Sequence, residues 1–263
     1  MKPRVKATRQ ESGLPYDAPD GGVEEITLAE QVYRSLRRDL ISGDIEPGQS
    51  LRLEFLKQRY GISFSPIREA LNRLQSERMV VSTASRGFRV APFSREEMWD
   101  AAETRILIDC EAMRRSLKNG DDVWETRLVA AYHALNLAAR RVHDMPAPDD
   151  EASEMLEQRH LDFHRALIAA CGSRWLMELS VQLYTQTERY RRPTLRGRSG
   201  WGDVGRDVGR EHQDLMDAAL ARDSRRAVAL LAEHYRKTVA LIERFAPFKD
   251  VASGEGGEPV ETS

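Results

Sequence analysis

Four histidines in the second half of this 263-residue chain have a spacing that suits a metal ion: His160, His164, His212 and His234. His160 and His164 are four residues apart, which on a helix stacks them on one face. Neutral imidazoles suit zinc, nickel, copper or iron, and helical bundles build metal sites from facing helices. An H-x-x-x-H pair is also common among ordinary surface and core histidines, so the spacing leaves both readings open.

A second group of residues points to polyanions. From Lys57 to Arg89 there are seven basic residues (Lys57, Arg59, Arg68, Arg73, Arg78, Arg86, Arg89) against two acids, Glu69 and Glu77. That is a local charge of +5 in a chain whose net charge is −2. Such a patch neutralises phosphates and supplies sequence-independent affinity for nucleic acid. The competing reading is a solvated face, with Arg73 paired to Glu69 at i,i+4.

The elements that must position these groups change texture once, near Ala91-Pro92-Phe93-Ser94. Before it, Leu28, Val32, Leu36 and Leu40 predict an amphipathic helix over 27–42, capped by Thr27. Pro47-Gly48 predicts a turn, and a short helix follows at about 53–60. Ser63 or Ser65 then caps a third helix with Pro66 in its first turn and Ile67, Ala70, Leu71 and Leu74 as its buried stripe. Strands are expected over 79–83 and 88–91, around Arg86-Gly87. This is the order of a winged helix-turn-helix, with a recognition helix, 63–77, destined for the major groove. Arg68 and Asn72 lie one turn apart opposite its apolar stripe, and Ser63 and Ser65 sit at its start.

After Ser94 the pattern is helical, with segments at about 95–118, 122–143, 151–170, 173–192, 204–221 and 224–245. Ser94 with Glu97 forms a capping-box signature; Asp203 or Asp207, and Asp223 or Ser224, cap the last two. Pro193–Gly202 is expected to be a loop. The predicted fold is mainly α: a winged helix-turn-helix over 24–92, then an all-α bundle of six or seven helices over 93–249. Loose polar ends flank them at 1–23 and 250–263.

Composition narrows the class. The chain is 41% hydrophobic and 31% charged, as soluble globular proteins are. Cys110 and Cys171 form no C-x-x-C pair, which argues against a disulfide framework or thiolate zinc and fits a reducing cytoplasm. The residues after Lys2, Arg4 and Lys6 lack the apolar region of a secretory signal, and no run approaches the roughly 18 apolar residues of a membrane span. An enzyme is the rival class, but H-E-x-x-H, G-x-S-x-G and a Gly-rich phosphate loop are missing from the sequence, and the winged-helix half would go unexplained. A third reading keeps the helices as a dimerising bundle with a structural metal or none.

The stretch from Gly43 through Pro47-Gly48, YGISFSPIREALNRLQ at 60–75, and Arg86-Gly87-Phe88-Arg89-Val90 together resemble the GntR family of transcription factors over about 28–92. That resemblance implies Arg68 as the recognition-helix arginine, Ser65 as a phosphate contact and Gly87 as the wing glycine. Phe64 stands where many members carry arginine; it removes a polar contact and offers an aromatic edge to a thymine methyl instead. The residues around His160–His164, EHQDLMDAALARD at 211–223 and Leu231–His234 resemble the FCD ligand-binding domain of the FadR-type subfamily. The resemblance implies a divalent transition metal, zinc or nickel, on His164, His212 and His234. His160 stands at the position of the family's aspartate, whereas Asp162 points to another face. It also implies a small-carboxylate effector met by Arg105, with Asp109 one turn on either orienting Arg105 or forming an ordinary i,i+4 salt bridge with it. Tyr190, Arg191 and Arg192 either meet a second carboxylate or end a helix. YGISFSP, RHLDFH and ACGS further resemble the carbon-starvation, glutarate-responsive branch, which implies a C4–C6 dicarboxylate. The expected assembly is a homodimer on a pseudo-palindromic double-stranded DNA operator, repressing until effector binds, with Ala91–Ser94 as hinge.

Overall fold

A computed structural model describes residues 26–83, 87–146, 149–195, 206–246 and 248. Among them the chain forms α1 (Leu28–Ser42), α2 (Leu53–Tyr60), α3 (Phe64–Ser76), β1 (Val80–Thr83), β2 (Gly87–Val90), α4 (Arg95–Asn119), α5 (Asp122–Asp144), α6 (Asp150–Ile168), α7 (Arg174–Leu195), α8 (Val208–Leu220) and α9 (Ser224–Phe245). The expected polar ends and Arg86 lie outside the described residues.

The first three helices close around Leu36, Ile41, Leu56, Ile67, Leu71 and Leu74, all fully buried. Thr27 caps α1 by accepting the Glu30 amide at 3.1 Å, as its position predicts. Gly61, at φ +68°, makes the turn between α2 and α3, a left-handed conformation costly for a residue with a Cβ. The cap of α3 departs from expectation. Ser63 stands at the N-cap but makes no side-chain cap bond, and Ser65 is already inside the helix. The first-turn amides of α3 therefore keep their donors for another acceptor.

β1 and β2 pair antiparallel, with Val80 opposite Val90 and Thr83 opposite Gly87. The other edge of β2 is also used: Leu51 N donates to Phe88 O at 2.9 Å and Val90 N to Gln49 O at 2.9 Å. The segment after the Pro47-Gly48 turn thus ties the wing to α2, a long-range pairing invisible to local pattern.

In the second half α4 packs on α7 and α9, and α5 packs on α6. Phe163, Leu128, Met113, Leu215 and Leu231 lie in its core. Ser94, Asp121, Asp149, Asp207 and Asp223 accept from first-turn amides of α4, α5, α6, α8 and α9. Asp207 and Asp223, rather than Ser224, are the caps; Asp203 lies outside the described residues. The predicted start of the loop at Pro193 is wrong, since α7 runs through it to Leu195. Pro193 costs the last turn its bond to the carbonyl four residues back, and it lies against Gly43 of the winged half, where a side chain on residue 43 would come within 3.3 Å of it.

α7 joins the halves. Arg189 donates to Arg78 O, Ala91 O and Pro92 O at 2.8, 3.3 and 2.7 Å, holding the end of the winged domain and the linker together. Arg37 on α1 reaches Glu188 at 3.2 Å.

Candidate metal centre and nucleic-acid interface

The exposed face of α3 carries the groups expected to meet nucleic acid. Ser63, Ser65, Arg68 and Asn72 are exposed, and so is Gly87 in the wing at φ +72°. Arg68 makes no hydrogen bond or ion pair among the described residues. Phe64 is partly covered, with Lys57 Nζ 4.9 Å from its ring centroid. Three of the seven basic residues are committed elsewhere, among them Arg89, which donates to Gly48 O at 2.7 Å. Arg59 donates to Asp39 at 2.6 Å, and Arg73 lies over the Tyr33 ring at 3.5 Å while pairing with Glu30 at 2.7 Å and Glu77 at 3.6 Å. Arg73 therefore braces α1 against α3, and its partners are Glu30 and Glu77 rather than Glu69.

The four histidines converge. His160 and His164 on α6, His212 on α8 and His234 on α9 are all buried, and one ring nitrogen from each lies within 4.8 Å of the others. His160 Nε2 and His164 Nε2 are 3.2 Å apart. Asp162 points away and accepts from Gln158 at 2.9 Å, as its register predicts.

The groups around the cluster fix which nitrogen faces inward. Tyr235 has one hydroxyl hydrogen and donates it to Asp109 Oδ2 at 2.8 Å. Its oxygen must then accept from Arg105 Nη2 at 3.0 Å and from His164 Nδ1–H at 3.2 Å. His164 is thereby the Nδ1–H tautomer, with a bare lone pair on Nε2. The same holds for His234, whose Nδ1–H donates to Glu211 Oε2 at 2.8 Å. Arg206 Nη2, 3.2 Å from that same nitrogen, is a donor too, so its productive bonds are those to Glu211 Oε2 at 2.6 Å and His234 O at 2.8 Å. His160 Nδ1 meets the Tyr184 hydroxyl at 3.3 Å. His212 Nε2 is buried without a hydrogen-bond partner among the described residues.

Burial, then the neighbouring imidazoles and guanidinium groups, holds His160, His164 and His212 well below the usual imidazole range. His234 is lowered to about 4 by burial, opposed by the Glu211 bond. Burial alone would raise the Glu211 carboxyl, but bonds from Arg206 and His234 keep it far below the usual carboxylate range. Four neutral imidazoles, oriented by outer hydrogen bonds and with one orphaned nitrogen, are a donor set that fits a borderline divalent ion.

Arg105 is buried beside the cluster. It donates through Nε to Asp109 at 3.2 Å, Nη1 to Thr187 at 3.0 Å and Nη2 to Tyr235. Arg105, Asp109 and His164 thus share one tyrosine hydroxyl. Asp109 Oδ1 has no hydrogen-bond partner among the described residues. A cavity of only about 20 Å³ opens here, bordered by Arg105, Arg191, His160 and His234. A second cavity of about 610 Å³, between α5, α6 and α8, reaches His160 and His212 from the other side. Tyr190 borders neither; it packs with Met98, Ala102, Val239 and Ile242 against Phe93, at the linker.

The sequence did not single out Tyr235, Tyr184, Glu211 or Arg206. The only local signals were Glu211 and Tyr235 standing next to histidines. Arg191, expected either to meet a second carboxylate or to end a helix, bonds Glu157 and the Tyr184 hydroxyl at the cluster's edge. No helix among the described residues is long and apolar enough to cross a membrane.

Comparison with known proteins agrees with this arrangement. Residues 28–90 match the bacterial regulatory proteins of the gntR family, and residues 100–237 match the FCD domain. The chain is 40% identical to the uncharacterized HTH-type transcriptional regulator BphR of Paraburkholderia xenovorans (strain LB400), over 83% of this chain and 86% of that protein. It is 32% identical to the HTH-type transcriptional repressor GlaR of Escherichia coli (strain K12), over 81% of this chain and 94% of the repressor. Among solved structures, E. coli McbR/YncC superposes with a TM-score of 0.66 at 20% identity, covering 83% of this chain and 98% of that one.

Proposed function

Because the chain belongs to the GntR family of bacterial regulatory proteins, is a DNA-binding transcriptional regulator and carries an FCD domain, we propose that its operator affinity is set by a small carboxylate bound at a metal-holding histidine cluster. The observation that carries this reading is the convergence of four buried histidines whose outer nitrogens are held by Tyr235, Glu211 and Tyr184. FCD domains commonly hold a metal, and these residues fit a divalent ion such as zinc or nickel. When bound, the ion supplies a positive centre for a carboxylate oxygen.

The protein's own groups do the rest. Tyr235 and Glu211 keep the inward nitrogens of His164 and His234 unprotonated. Arg105, anchored to Asp109 and Tyr235, adds a fixed positive charge beside the cluster and supports an anionic ligand; a short dicarboxylate such as glutarate satisfies that head-group chemistry. Thr187, which accepts from Arg105, lies two residues from Arg189, whose guanidinium holds the winged half through three carbonyls. α7 is therefore the element through which ligand binding alters the orientation of the winged domain about Ala91–Ser94.

On the DNA side, Arg68 and Asn72 serve as base-reading residues, and Ser63, Ser65 and the free amides of α3 serve as phosphate contacts. Gly87 is the wing residue that approaches the DNA, Phe64 offers a thymine-methyl contact, and Arg73 acts as a brace. A homodimer matches two half-sites of a pseudo-palindrome. Leu107 on α4 and Trp175 on α7, 71% and 74% exposed, support an apolar surface for a second copy. Repression relieved by effector, in the cytoplasm, is the mode in keeping with a relative named as a repressor.

The test is operator binding by the metal-loaded chain across a panel of small carboxylates, repeated after chelation. Release of DNA by one carboxylate, abolished by chelation, is the expected result. A metal-free protein whose operator affinity no carboxylate alters overturns the reading.

A further inference from the structure

The two spaces beside the histidines differ in what they can hold. The cavity at Arg105 is about 20 Å³, the size of a single water, and three of the guanidinium nitrogens there already donate to protein groups. The cavity between α5, α6 and α8 is about 610 Å³, within the range of small-molecule sites. A nine-heavy-atom dicarboxylate packed at interior density fills only on the order of 200 Å³.

The chamber joins the histidines to a largely apolar wall. Its inner end is His160 and His212, both buried, and the orphaned Nε2 belongs to His212, which is 4% exposed. Most of its wall is apolar, from Tyr132, Leu135, Ala139, Val142, Leu156 and Val208, with Asn136, Glu157, Arg206 and Asp207 as the other polar groups on it. Arg140 and His143, both exposed, stand at the solvent end. A short dicarboxylate seated at the histidines fills only a fraction of this volume and leaves most of the apolar wall uncovered.

We infer that the effector is an amphipathic monocarboxylate, its head at the histidine end and an apolar body, on the order of six to ten carbons, filling the chamber between α5, α6 and α8. This rests on the reading that a carboxylate at the histidines controls the protein. The chamber walls then set ligand specificity: the head supplies charge recognition, and the body supplies discrimination by length.

The experiment titrates the zinc-loaded full chain with linear alkanoates from acetate to decanoate, below their micelle thresholds, and with glutarate. Affinity is expected to rise about fourfold per methylene as the body enters the chamber. Ala139→Phe, which narrows the chamber without touching a histidine, should flatten that rise while zinc content and acetate binding stay unchanged. A flat series, glutarate binding more tightly than octanoate, or a full length-dependence in Ala139→Phe overturns the inference and leaves the carboxylate reading standing. Octanoate affinity indifferent to chelation overturns the placement of its head. Binding by no carboxylate of any length overturns both. Should Ala139→Phe fail to fold, the unmodified chain's length series decides alone.

Discussion

His160 and His164, one turn apart on α6, hold their Nε2 atoms 3.2 Å from one another. Because Tyr235 forces the proton of His164 onto Nδ1, its Nε2 presents a lone pair to His160. Two bare lone pairs at that distance repel. The pair is stable either with a proton on His160 Nε2 or with a cation between the rings, and switching from the first to the second requires His160 to change tautomer. Tyr184, which meets His160 Nδ1 and accepts from Arg191, is placed to accept the relocated proton's hydrogen bond.

Tyr235→Phe removes the hydroxyl that orients His164 and satisfies both Arg105 and Asp109. Metal affinity should fall roughly 10- to 100-fold, the usual effect of losing an outer-shell partner, and stability should drop by about 1–3 kcal/mol. Competition with a chelating dye measures the first and urea unfolding the second. Unchanged metal affinity removes Tyr235 from the support of the cluster.

His164→Ala takes away one ligand of the set. Added zinc or nickel at about a hundred times the original dissociation constant should then no longer supply the roughly 2.7 kcal/mol of stabilisation that mass action gives. Operator binding by the metal-free protein should be close to that of the unmodified chain. Stoichiometric metal by mass spectrometry in this variant would falsify the assignment.

Arg68→Ala should weaken operator binding by about 1–3 kcal/mol, because a lost base contact has no substitute on the face of α3. Its melting temperature should not move, since Arg68 is exposed and makes no bond among the described residues. Arg73→Ala should do the reverse, lowering stability through loss of the α1–α3 brace. Equal losses of operator affinity in both would mean that the braced and the free arginine act alike.

Acidification should destabilise the metal-free protein. The four histidines have folded values below the ordinary one near 6.5, so the unfolded chain takes up protons first. Stability is intact above about pH 6.5 and is lost as pH falls through the window toward the folded values, which for His234 ends at about 4. Each such histidine steepens the fall by at most about 1.4 kcal/mol per pH unit. A urea midpoint that stays level between about pH 7 and pH 5 would contradict this.

Arg189→Gln should separate the two halves functionally. The effector should bind with its original affinity, since Arg189 borders neither cavity, while DNA release on effector addition should weaken. Fluorescence anisotropy of a labelled operator, with and without effector, reads the coupling directly. Full coupling in the variant would place transmission elsewhere than α7.

Periodicity made most helices legible, because a buried stripe such as Ile67, Ala70, Leu71 and Leu74 is written at helical spacing. Caps were legible for the same local reason, as Thr27 and Asp207 show. The histidine positions were readable from i,i+4 spacing and resemblance. Their supports were not. Tyr235 meets His164 across 71 residues of sequence, and Tyr184 meets His160 across 24, separations that no local pattern encodes. The end of α7 was misjudged because proline ordinarily stops a helix at the preceding residue, whereas here the last turn lies against Gly43 of the winged half, a contact that local pattern does not encode. The partners of Arg73 were misassigned because Glu69 competes on spacing alone, whereas α1 delivers Glu30 only after the helices pack.

His160 borders both cavities and the metal cluster at once. Whatever binds on either side meets the same imidazole. Linkage then demands that a ligand whose grip depends on His160 strengthen or weaken the cation's hold by the same factor that the cation changes its own. On the proposed reading the domain is a coincidence detector, in which the availability of the ion in the cell is as much an input to transcription as the supply of the organic acid.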